Sequence, residues 1–173
     1  MIIVLIGYMA SGKSTIGKKL AKKTGFQLVD LDYFIEEKEG ISVSEIFKLK
    51  GEIYFRKQES FYLKQLLMSK DDMVLSVGGG TPCYGQNMEL ILNTEKARSV
   101  YLKASLNKLV KKLFKKKSKR PLIAHIDTKE ALTEFVGKHL FERSQFYNKA
   151  EIVVSTDGVS KKKITKKIVK ALF

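Results

Sequence analysis

The chain is poor in the residues that cross-link, punctuate or ligate metals. It has 173 residues, with one cysteine, no tryptophan, two histidines and two prolines. A lone Cys83 closes no disulfide within the chain and builds no cysteine-based zinc site, so a reducing cytoplasm is the expected compartment. His125 and His139 lack ligand spacing and read as solvent-facing or satisfied surface positions. Long apolar runs are missing too. Ile2 to Ile6 stops at a glycine, too short for a secretory core. Nothing approaches the ~20 apolar residues of a membrane span. Acidic residues are also scarce, 18 against 33 basic ones, which leaves a net charge of +15. Such a charge suits nucleic acid, a membrane surface or an anionic small molecule. Only Arg56, Arg98, Arg120 and Arg143 are arginines; the other basic residues are lysines, clustered at Lys115-Lys116-Lys117 and Lys161-Lys162-Lys163. No RNP-type aromatic motif or zinc finger accompanies them. The lysines are read as solvated surface, with no nucleic-acid or membrane partner expected. The few arginines mark places that need a planar, bidentate fork.

What is present starts at Gly7-Tyr8-Met9-Ala10-Ser11-Gly12-Lys13-Ser14, a G-x-x-x-x-G-K-S loop between an apolar strand and a periodic helical segment from Thr15 to Lys23. Gly7 and Gly12 have no Cβ, so the backbone can turn tightly and face its N–H groups to an anion. The helix start adds positive partial charge. Lys13 can reach β- and γ-phosphate oxygens, and the Ser14 hydroxyl can ligate Mg²⁺.

Apolar runs at residues 2–6, 27–29, 73–77, 99–102 and 152–154 alternate with helical patterns, which argues one three-layer α/β domain with a parallel sheet. Ligands of such sheets bind beyond the carboxyl ends of the strands. There the chain places Asp30-Leu31-Asp32. Asp32 could cap a helix over residues 33–38, but two carboxylates beside a phosphate loop favour a Mg²⁺ shell or a base. No Asp ends the third strand, so the metal carboxylate is assigned to Asp30. A helical stretch over 43–67 breaks near Gly51; its Phe47, Phe55 and Phe61 read as core. Arg56 can pair with Glu59 one turn on and is read as an anion site. Gly78-Gly79-Gly80 costs backbone entropy that close approach to a ligand would offset. Arg120, before Pro121 in a lysine-rich loop, is the candidate lid cation. Arg143 is either a helix-surface charge or a second anion clamp. The loop over 155–160 would sit near a nucleotide base.

The ordered set of G-x-x-x-x-G-K-S, D-L-D, Gly51-Glu52-x-x-Phe55-Arg56, the triple glycine, Arg120-Pro121-Leu122 and Glu142-Arg143 with Tyr147 resembles the shikimate kinases over essentially the whole chain. The resemblance implies a nucleoside-monophosphate-kinase-like P-loop NTPase fold, with a five-stranded parallel sheet in order 2-3-1-4-5. It implies a lid near 113–125 and substrate-binding helices near 32–62. The implied reaction is transfer of the ATP γ-phosphoryl, with Mg²⁺, to the 3-hydroxyl of shikimate in aromatic amino acid biosynthesis, by a monomer. By the same resemblance Ala10, Ser11, Gly12, Lys13, Ser14 and Thr15 hold the phosphates. Ser14 and Asp30 serve the metal, and Asp32 binds the shikimate hydroxyls and acts as base. Arg56 and Arg143 clamp the carboxylate, Gly78 to Gly80 pack against the ring, and Arg120 reaches ATP. Lys112 and Ser160 flank the adenine, both standing where the family often has Arg; Val77 stands where it usually has a small or hydroxylated residue. Rival readings are another small-molecule P-loop kinase, a basic nucleic-acid-dependent NTPase, and a protein that holds ATP without transferring it.

Overall fold

A computed structural model describes residues 1–115 and 122–173. Five strands form one parallel sheet: β1 (Ile2–Ile6), β2 (Gln27–Asp30), β3 (Met73–Ser76), β4 (Ala97–Lys103) and β5 (Ile152–Ser155). Their spatial order is β2-β3-β1-β4-β5, as the resemblance implied. The middle strand β1 pairs with β3 and β4, and its five side chains are fully buried. Period-2 alternation sends Ile2, Val4 and Ile6 into one apolar layer and Ile3 and Leu5 into the other. Burial on both faces explains why the run is apolar without a break.

The helices are α1 (Lys13–Thr24), α2 (Leu31–Glu39), α3 (Val43–Leu67), α4 (Asn87–Asn93), α5 (Leu106–Phe114), α6 (Lys129–Tyr147) and α7 (Lys161–Leu172). α1 and α7 cover one face; Ile16 and Leu20 of α1 and Ile164 and Ile168 of α7 pack there on Ile3 and Leu5. The other face carries α2 through α6. Two elements go unmarked in the sequence reading, a 3-10 turn at Thr81–Cys83 and the seven-residue α4. Both are too short to show a helical period.

Two expectations, that Phe47 and Phe61 belong to the core, need correction, and the alternative that Asp32 caps a helix is excluded. The cap of α2 is Asp30, not Asp32: Asp30 Oδ1 accepts from the N–H groups of Asp32 (3.1 Å) and Tyr33 (3.5 Å). β2 runs straight into α2, so Asp32 already lies in its first turn. Phe61 is 61% exposed and Phe47 38%, while Phe55 is buried as expected. The reason is the packing ridge of α3, where Phe55, Glu59, Leu63 and Leu67 recur every four residues and leave Phe61 on the opposite side. The break at Gly51 is real: φ 83° and ψ 171° interrupt the helix there.

Candidate active site

The phosphate loop ends β1 and opens α1. Gly12 takes φ 111° as the residue before the helix, and no side chain caps the first-turn N–H groups. α2, α3, α5, α6 and α7 all have side-chain caps, from Asp30, Ser42, Ser105, Thr128 and Ser160. α1 therefore keeps its donors for an anion. Ser11 Oγ, buried in the loop, has no hydrogen-bond partner among the described residues. A Cβ on Gly7 would stand 2.8 Å from that oxygen and 2.9 Å from Leu102 O. Only glycine fits there. Lys13 folds back over the loop, its Nζ donating to Gly7 O (2.6 Å) and Tyr8 O (3.1 Å). Lys112 of α5 reaches in and donates to Ala10 O (3.1 Å). Loop, donors and cations together form a cradle that fits a polyphosphate.

Next to the cradle lies a cleft of about 570 Å³. Its lining includes the loop residues Ala10 and Gly12 to Thr15, with Asp30, Asp32, Gly78 and Gly79. Lys112, Lys115 and Lys161 add positive charge to it. Lys115 and Lys161 were missed as site residues because their lysine clusters look like solvated surface. Ser160 does not line the cleft; its hydroxyl caps α7 by accepting from Lys163 N at 3.3 Å. Arg120 lies outside the described residues.

The three glycines explain how the remaining residues meet. A Cβ on Gly78 would lie 3.3 Å from Asp32 Oδ1 and 3.3 Å from Glu59 Oε1. On Gly79 it would lie 3.3 Å from Arg143 Nη1, and on Gly80 2.8 Å from both Arg56 Nη atoms. Each glycine makes room for a different charged side chain, one from each of α2, α6 and α3. Asp32, Arg56 and Arg143, far apart in the chain, converge on one backbone segment. Tyr147 donates to Gly79 O at 2.5 Å and ties that segment to α6.

Arg56 is held from several sides. Its Nη1 donates to Glu59 Oε2 at 2.9 Å and its Nε to Glu52 Oε1 at 3.4 Å. Its guanidinium carbon lies 4.0 Å from the centre of the Tyr84 ring. The Arg56–Glu59 pair expected from the helix spacing is present, but Glu59 is 1% exposed, so this is no surface bridge. Thr81 Oγ1 donates to the other Glu59 oxygen at 2.6 Å, and Asn87 Nδ2 to Thr81 O at 2.9 Å. A buried carboxylate needs such a full complement of partners. Thr81 and Asn87 left no sequence signal, because only the fold brings them under Glu59. Asp32 is half-buried and its carboxyl is raised to about 6. Burial is the main cause; Asp30, Glu59 and Glu36 add repulsion, and Lys13 partly offsets them.

A phosphate loop after β1, a sheet in this order and a cleft at the strands' carboxyl ends define a P-loop kinase built like the nucleoside-monophosphate kinases. Such enzymes differ in the acceptor they phosphorylate, and here comparison with known proteins narrows the choice. Residues 9–173 match the family model for shikimate kinase, and the chain belongs to that family. A shikimate kinase of Flavobacterium johnsoniae is 49% identical over 156 residues, covering 90% of each chain. The crystal structure of a Bacteroides thetaiotaomicron shikimate kinase superposes with a TM-score of 0.89 at 31% identity, covering 99% of this chain and 98% of that one. An Acinetobacter baumannii shikimate kinase, solved in complex with shikimate, gives 0.85 at 28% identity, covering 99% and 92%. The chain is an ATP-dependent small-molecule kinase.

Proposed function

We propose that the cleft transfers the γ-phosphoryl of ATP to the 3-hydroxyl of shikimate, with each motif in a defined place. The observation that carries this is the triple glycine, each of whose members faces one of the three side chains assigned to the acceptor. Gly12 to Thr15 and Lys13 hold the phosphates through the uncapped start of α1. Arg56 and Arg143 meet the acceptor's carboxylate. Together they favour an anionic acceptor over a neutral polyol, which forgoes charged hydrogen bonds worth ~1.5–3 kcal/mol each. Asp32 orients the hydroxyl and accepts its proton at or after the transition state. A loose phosphoryl transition state asks little of a base, so positioning dominates.

Mg²⁺ fits Ser14 and Asp30. Both line the cleft, and the two cap hydrogen bonds of Asp30 fall on Oδ1, which leaves Oδ2 for a cation or its water. Bound there, the ion would neutralise charge on the β- and γ-phosphates. Among the described residues no group of three or more His, Cys, Asp or Glu side chains could hold a metal alone, in keeping with an ion that phosphate and water share. By the resemblance, a lid near 113–125 would bring Arg120 to ATP, and the helices over 32–62 would form the acceptor side. No helix among the described residues is long and apolar enough to cross a membrane. The resemblance further implies a monomer in the cytoplasm. The test is a coupled ADP-release assay with shikimate present, absent, or replaced by gluconate. ADP release that requires shikimate supports the reading; equal release with gluconate ends it.

A further inference from the structure

Tyr8 and His139 lie between the phosphate loop and the acceptor clamp, and the scheme above uses neither. Tyr8 belongs to the loop by sequence, yet its side chain turns inward and is 1% exposed. Its hydroxyl meets His139 Nδ1 at 2.9 Å, with the rings edge to face and 5.6 Å between centroids. Burial pushes the Tyr8 phenol up to about 12, so it keeps its proton and can donate to Nδ1. Burial and then Arg143 hold His139 below its usual value, which favours the neutral ring whose Nδ1 accepts. Arg143 follows His139 by one helical turn on the same face of α6. Its guanidinium carbon is 5.7 Å from the centre of the Tyr8 ring. The same guanidinium flanks Gly79, whose Cβ, if present, would also be 3.5 Å from Met9 N and 3.6 Å from Gly7 O. A side chain of the nucleotide loop thus forms one wall of the place where Arg143 sits.

We propose that Tyr8 and His139 are positioning residues for Arg143: their hydrogen bond locks this face of α6 to the phosphate loop and so sets the guanidinium that meets the acceptor's carboxylate. The proposal rests on the reading of Arg143 as an acceptor clamp. Without the Tyr8 hydroxyl, His139 Nδ1 is left unpaired in a half-buried place and its ring is free to turn toward Arg143. The Tyr8 backbone, which contributes to the phosphate loop, stays where it is. The loss therefore falls on acceptor binding, and ATP binding is spared.

Kinetics with both substrates varied, at a pH well above the imidazole range, test this. Tyr8→Phe keeps the ring and removes one oxygen. It should raise the acceptor KM about fivefold, equivalent to ~1 kcal/mol, with kcat and the ATP KM within about twofold. His139→Ala should do the same, and the double variant should be no worse than either single one. His139→Asn, whose Oδ1 can stand near the place of Nδ1, should restore most of the loss. An unchanged acceptor KM in Tyr8→Phe overturns the proposal. So does an ATP KM that rises in step, which would make the pair a scaffold of the phosphate loop. Arg143→Ala separates the two layers of the argument. If it leaves the acceptor KM unmoved, the clamp reading fails. If it raises that KM while Tyr8→Phe does not, only the positioning role falls. Should His139→Ala not fold, Tyr8→Phe decides alone.

Discussion

On the proposed reading Asp32 takes a proton from the acceptor's hydroxyl, and burial raises its proton affinity for that step. With the carboxyl near 6, kcat/KM should rise with pH through about 6 and level off above it. Asp32→Asn should lower kcat by about 10²–10⁴-fold, leave ATP binding little changed and abolish that acidic limb. The same shift has a stability side. Between the ordinary carboxylate range and about 6 the folded state binds more protons than the unfolded one, so stability falls as pH rises across that window. Above it the ionised group costs up to about 2–3 kcal/mol, an upper bound for a half-buried site. Asp32→Asn should therefore be the more stable protein at neutral pH and lose that advantage near pH 4, measured by urea unfolding at both. Ala10 presents a different strain. It takes φ 63°, alone among the described non-glycine residues, inside the phosphate loop. A left-handed alanine costs ~1–2 kcal/mol, part of which glycine would return as extra unfolded-state entropy. Ala10→Gly should raise stability by up to about 1 kcal/mol, read as an upward shift in Tm.

At the scale of elements, the segment after β3 does what no single residue does. Gly80 takes φ −87° and ψ −20°, a conformation open to any residue, so glycine is not required there by backbone strain. What it supplies is room, because a Cβ would meet both Arg56 Nη atoms at 2.8 Å. Gly80→Ala should displace a flexible guanidinium and not the backbone. The expected result is a rise of at least about tenfold in acceptor KM, corresponding to ~1.4 kcal/mol, with the ATP KM nearly unchanged and the Tm lowered, because buried Glu59 loses part of its pairing with Arg56. An equal rise in both KM values would place Arg56 in the nucleotide site. The start of α1 shows the same economy. Leaving α1 without a side-chain cap, as the short α4 also is, forgoes ~1 kcal/mol in the free protein, and at the phosphate loop it keeps a row of donors for an anion.

For the molecule as a whole, a net charge of +15 is a standing self-repulsion that also draws in anions. Added salt should do two opposite things. Raising ionic strength from about 0.01 M to about 0.15 M shortens the screening length from ~30 Å to ~8 Å. Tm should rise as lysine repulsion is screened, while the ATP KM rises because Lys13, Lys112, Lys115 and Lys161 attract the nucleotide less. The acceptor KM, governed by part-buried Arg56 and Arg143, should change less. A Tm that falls with sodium chloride would show that exposed ion pairs such as Lys149–Glu89 outweigh the repulsion.

The amino-acid sequence alone determined the central strand, because a run buried on both faces must be apolar throughout, as Ile2 to Ile6 are, while the edge strands β2 and β5 are only partly buried and showed as shorter runs. It also determined the phosphate loop, whose chemistry is local: two glycines, a lysine and a serine act within a single turn. The acceptor side had only its parts on the page. Asp32, Arg56 and Arg143 could be singled out, but whether Arg56 was a surface ion pair and Asp32 a helix cap was decided by folding. The sheet order carries α2, α3 and α6 to one edge of the triple glycine, and that buries Glu59 and places Thr81 and Tyr8 where neither spacing nor periodicity could. Local geometry follows from neighbours in the chain; burial, and with it proton affinity and the direction of a guanidinium, follows from residues that only the tertiary structure brings near.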